Sequence, residues 1–68
     1  VAEDQARATA WYGRAALAGN ITAQYLYAVQ LEFGWGAKVD LEAAMSWYRK
    51  AAAGGSADAK MRLTKESP

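Results

Sequence analysis

Histidine and cysteine are both missing from these 68 residues. The commonest general base, the thiol nucleophile and the usual zinc ligands are therefore absent. Ser46, Ser56 and Ser67 have no base that the sequence places beside them, so none reads as an activated nucleophile. Asp4 and Asp40 stand at equivalent places ahead of two similar stretches, and helix capping accounts for both without acid–base work. Glu32 lies near a glycine loop and has no evident carboxylate partner. The chain is read as non-enzymatic, with no catalytic residue, no metal ligand and no cofactor.

Three features could bind rather than react. Gly34 and Gly36 frame a G-W-G loop, but a phosphate cradle calls for a preceding strand and a fuller glycine pattern. A plain interhelical loop is the reading preferred here. Trp35 between the glycines either tucks over a helix end or stands out as an interface anchor. Trp11, Tyr12, Trp47 and Tyr48 could stack a ligand, yet they repeat in register with alanines that make room for them, which assigns them to the core. Lys60, Arg62 and Lys65, with Arg49 and Lys50 upstream, read as a solvated face. The net charge of +1 gives no support to a nucleic-acid partner.

The elements that carry these residues are helices. Asp4, Ala8, Trp11, Tyr12, Ala15, Ala16 and Gly19 return 36 residues later as Asp40, Ala44, Trp47, Tyr48, Ala51, Ala52 and Gly55. A fixed period of that length marks a stacked helical repeat. Four helices are expected, at about 3–18, 20–33, 40–54 and 56–65, with Asp4, Asn20, Asp40 and Ser56 as caps. The first is a half-repeat, 20–55 a full repeat, and 56–68 the start of another, in a piece of a longer protein. Gly19-Asn20 and Gly55-Ser56 repeat one corner: a glycine stop followed at once by a cap. The second helix has two apolar stripes, Ala23–Tyr27–Leu31 for packing on its neighbours and Tyr25–Val29–Phe33 on nearly the opposite side. The absence of cysteine leaves the redox compartment open, and no apolar run approaches the ~20 residues that span a bilayer.

With these residues in view, the chain resembles the Sel-one-like repeat (SLR) family, relatives of the tetratricopeptide repeat. The match runs without a gap through Ala23, Gly34, Gly36, Asp40, Ala44, W-Y-x-K-A-A at Trp47–Ala52, and Gly55. It departs where the family's leucine-glycine pair is Tyr27-Ala28, its tyrosine is Leu31 and its loop valine is Ala37. A local repacking between helices two and three is expected there. The resemblance implies an all-α, right-handed α/α superhelix that serves as a scaffold or adaptor for protein binding. Such proteins occur in signalling, in membrane-associated degradation complexes and in bacterial envelope assembly. The cysteine-rich subgroup, with a disulfide in each unit, is excluded. The compartment stays open between bacterial envelope and cytoplasm. In such superhelices the first helix of each pair lines the concave side, which here is 20–33. The partner-facing residues are then Thr22, Tyr25, Leu26, Val29 and Phe33, with Trp35 in the loop and Asp58, Met61 and Lys65 in the next repeat. A protein or peptide is the expected partner, without membrane insertion, and the isolated segment is expected to be marginally stable or to associate with another copy or a partner. The alternative is a structural spacer.

Overall fold

The computed structural model describes the backbone of residues 2–66 and the side chains of residues 4–64. It contains α1 (Ala2–Leu17), α2 (Ile21–Phe33), α3 (Leu41–Ala53) and α4 (Ala57–Glu66), with no strand among the described residues. The expected bounds hold to one residue at each end.

Local chemistry explains where the helices start. Asn20, Asp40 and Ser56 each accept, through a side-chain oxygen, the backbone N–H three residues on, at 2.8, 3.0 and 3.1 Å. Those bonds satisfy donors that no intrahelical carbonyl can reach. Asp4 is a correction. It lies inside the first turn of α1 and not at its cap, because Ala2 and Glu3 ahead of it carry no helix breaker, whereas Asp40 follows a glycine loop.

The two corners are the same device. Gly19 and Gly55 adopt φ of +99° and +108°. Asn20 N–H donates to the Ala15 carbonyl and Ser56 N–H to the Ala51 carbonyl, at 3.0 and 2.9 Å. These are the long bonds of the left-handed helix stop. The glycine places the following residue so that its backbone N–H ends one helix and its side chain starts the next.

Each helix packs on the one before it, giving a slab of 34 × 25 × 16 Å. So thin a body is closed mainly by small residues. Ala16, Ala23, Ala28, Ala44, Ala51 and Ala59 are buried with Leu31, and Tyr48 is the one large side chain wholly buried among the described residues. The swapped Tyr27-Ala28 pair shows its effect here. Ala28 is fully buried, while Tyr27 lies against Gly13 of α1 and meets Trp47 edge-on at 5.6 Å between centroids.

Trp11 is a second correction: it is 68% exposed. Trp47 is half-buried because Tyr27, on the preceding helix, covers it and Lys50 Nζ sits 4.7 Å above its ring. Among the described residues no helix precedes α1, so nothing performs that service for Trp11. Tyr12 is half-buried for the same reason.

Candidate partner interface

The face shared by α2 and α4 carries a continuous furrow. One hollow, of about 340 Å³, lies beside Ile21, Thr22, Tyr25, Ser56 and Asp58. A second, of about 150 Å³, is lined by Tyr25, Asp58, Met61 and Arg62. Tyr25 and Asp58 belong to both. Further along, Arg62 lies over the Phe33 ring at 5.2 Å, and Phe33 stacks on Trp35 at 5.1 Å. The structure thus brings together Thr22, Tyr25, Asp58 and Met61, and extends the row to Phe33 and Trp35.

Several expected members differ. Tyr25 and Val29 are half-buried and pack against the core; Tyr25 tilts against Tyr48 at 5.8 Å. The Tyr25–Val29–Phe33 stripe is therefore not a bare face, because α3 and α4 close over its first two members while Phe33 stays exposed. Leu26 leaves the set. It lines a different hollow with Trp11, Tyr12 and Ala15 of α1, since one residue past Tyr25 is a turn of about 100° around the helix. Lys65 has a side chain outside the described residues. Trp35 stacks on Phe33 at the end of α2 and is 48% exposed.

A carboxylate that the sequence analysis left without a role fixes this furrow. Glu32 accepts from the Tyr48 hydroxyl at 2.7 Å and from Arg62 Nε at 3.0 Å through the same oxygen. Its other oxygen meets the Arg62 guanidinium at 2.7 Å. One carboxylate thus ties α2, α3 and α4 together. Burial, and then the bond to Glu32, push the Tyr48 phenol well above its usual value, and the Glu32 bond raises Arg62 further. Arg62 therefore serves this network and is not a free member of a basic patch. A signal for it existed: Glu32 is the one charge in α2, near its C-terminal end, where the helix dipole disfavours an anion.

The G-W-G loop docks on α1. Gly34 and Gly36 have φ of +72° and +77°. The Thr9 hydroxyl is buried and lies 2.8 Å from the Trp35 carbonyl, 2.9 Å from the Gln5 carbonyl and 3.1 Å from Gln30 Oε1. A side chain at Gly36 would run into the Gln5 carbonyl and Thr9. Gly36 serves this close approach to a helix, whereas Gly34 is the left-handed stop of α2. A further hollow, about 440 Å³, adjoins the loop, where Thr9, Gly13, Tyr27, Gly36 and Trp47 line a gap between α1 and α3.

Among the described residues no group of three or more acids could hold a metal ion, and no helix is long and apolar enough to cross a membrane. The family model for the Sel1 repeat matches residues 1–20 and 21–56, dividing the chain at the first glycine–cap corner. No curated protein and no solved structure matches it.

Proposed function

The chain belongs to the Sel1 repeat family, whose units generally mediate protein–protein interaction, and from that premise we propose that it holds a protein or peptide partner along the furrow between α2 and α4. The observation that supports this reading is the continuity of the surface. Met61, Phe33 and Trp35 are 64%, 49% and 48% exposed, and they lie in one row with the carboxylate of Asp58 at its margin. An apolar centre supplies affinity and a charged margin sets orientation. The Glu32–Arg62–Tyr48 network fixes Arg62 over the Phe33 ring, which lowers the ordering cost of binding at that point. The segment acts by binding and not by catalysis.

The alternative, a structural spacer, draws support from Tyr25 and Val29, which serve the core as well as the surface. Substitutions at exposed positions separate the two. Met61→Glu and Trp35→Ala leave the core contacts in place. A partner retained by the immobilised wild-type chain and lost by both variants, with helicity unchanged by circular dichroism, supports the furrow. Equal retention by all three makes the segment a spacer.

A further inference from the structure

We infer that the hollow between α1 and α3 takes an acidic segment of a partner protein, its carboxylate held by Arg14 and the Tyr27 hydroxyl and an apolar neighbour resting on Trp47. The hollow measures about 440 Å³, and α1, α2, α3 and the G-W-G loop all contribute to its lining. It lies on the other side of α2 from the furrow, because Tyr27 follows Tyr25 by two residues, a turn of about 200°. The two surfaces share no lining residue.

Two departures from the chain's own period open this hollow. The 36-residue repeat sets Gly13 against Arg49 and Tyr27 against Leu63. Glycine inside a helix is unfavourable. Here it leaves room for a ring: a methyl group at Gly13 would sit 3.3 Å from two ring carbons of Tyr27 and 3.6 Å from its hydroxyl oxygen. The polar end of Tyr27 thus reaches the α1 wall, at the residue next to Arg14. Its hydroxyl has no hydrogen-bond partner among the described residues, and no buried side-chain oxygen there lacks one, so it opens to solvent. Arg14 lines the same hollow, and no carboxylate or aromatic ring among the described residues engages it. The helix dipole accounts for a cation in the last turn of α1, but not for an unpartnered hydroxyl in the same hollow.

Charge and shape narrow the occupant. No acid lines the hollow, and Lys50, the period counterpart of Arg14, adds a cation 4.7 Å above the Trp47 ring. One guanidinium and one neutral hydroxyl suit the single charge of a carboxylate, whereas a phosphate monoester brings nearly two. The α1 wall runs from Ala6 to Leu17, about 16 Å along the helix axis. That length accommodates about five residues of extended chain. Ala6 and Ala10 along it are small and exposed, so nothing there blocks a peptide backbone. Half-buried Trp47 and exposed Leu17 supply the apolar contact.

Two-dimensional NMR of the isotope-labelled 68-residue chain, titrated with a blocked pentapeptide alternating leucine and glutamate, tests this. Saturable binding is expected, shifting the Gly13 amide and the Trp47 indole N–H while the Met61 amide stays in place. Arg14→Gln and Tyr27→Phe should each weaken it about tenfold, the scale of one hydrogen bond to a charged group. Both variants keep the fold, since Arg14 is exposed and phenylalanine keeps its ring against Gly13 and Trp47. Met61→Glu should leave the affinity unchanged, so failure here is distinct from failure of the furrow. No binding at about 1 mM peptide overturns the proposal. Equal affinity for the glutamine form of the peptide, or tighter binding of a phosphoserine form, removes the carboxylate from it. An affinity unmoved by Arg14→Gln or by Tyr27→Phe, or one lost in Met61→Glu, places the peptide elsewhere and also overturns it.

Discussion

Replacing Tyr48 by phenylalanine removes one oxygen from the most enclosed large side chain of the fold and leaves its ring packing intact. The lost bond is a 2.7 Å contact from the phenol to the Glu32 carboxylate. Hydrogen bonds to charged groups contribute about 1.5–3 kcal/mol net. The lower end applies here, because Glu32 keeps both contacts from Arg62 and its side chain is 14% exposed, so water reaches it. The expected loss is about 1.5 kcal/mol. At about 0.05–0.15 kcal/mol per residue, a chain of this length has roughly 3–10 kcal/mol in all, so the change is a sizeable fraction. The melting temperature should fall by roughly 6–12 °C. Urea unfolding followed by far-ultraviolet circular dichroism measures it, and an unchanged slope would show that the end states are unaltered. In the Arg62→Ala background the same substitution should cost more, since Glu32 then loses its last described partner. A Tyr48→Phe midpoint equal to or above that of the wild type would refute the assignment of Glu32 as the tie between three helices.

Alkaline pH tests the same group. The Tyr48 phenol is raised in the folded chain, so above pH 10, the ordinary phenol value, the unfolded chain releases a proton that the folded chain keeps. Stability from this group is complete below that pH and falls above it, by up to about 1.4 kcal/mol per pH unit, so the Tyr48→Phe variant should lose less stability than the wild type over that range. Gly36→Ala should cost about 2 kcal/mol or more, from a left-handed backbone plus collision with Gln5 and Thr9. Gly19→Ala has the same class of backbone with nothing within 4 Å, so in urea titrations it should lose only the backbone cost of about 1 kcal/mol. Equal losses at the two glycines would show that the loop does not press on α1. Asp40→Ala should cost about 1 kcal/mol through its cap bond to Ala43 N–H, and no change in the urea midpoint would remove that bond from the account.

Helices, corners and repeat were legible because each rests on local rules. Asn20, Asp40 and Ser56 act within three residues, and Gly19 and Gly55 within one turn. What stayed hidden depends on neighbours. Periodicity puts Trp11 and Trp47 on the same face of equivalent helices but does not say which face is covered; Tyr27 decides that for Trp47 alone. Glu32 and Arg62 are 30 residues apart on helices two elements removed, beyond the reach of any spacing rule. Thr9 is buried among loop and helix carbonyls, whereas its repeat counterpart is Met45, so the period itself pointed to an apolar residue. Of the expected interface, Thr22, Tyr25, Asp58 and Met61 converge because one period aligns α2 with α4, and Leu26 departs because one step along a helix changes the face.

The central claim is that a partner sits between α2 and α4. Its most direct test is a photoreactive amino acid placed at Met61 in the furrow and, separately, at Arg49, which is exposed beside Leu41 and Met45 away from it. After irradiation of cells making each form, the account predicts a discrete cross-linked protein from Met61 that is lost when Trp35→Ala is added, with no such product from Arg49. A product from Arg49 alone, or one from Met61 that is indifferent to Trp35, would contradict it.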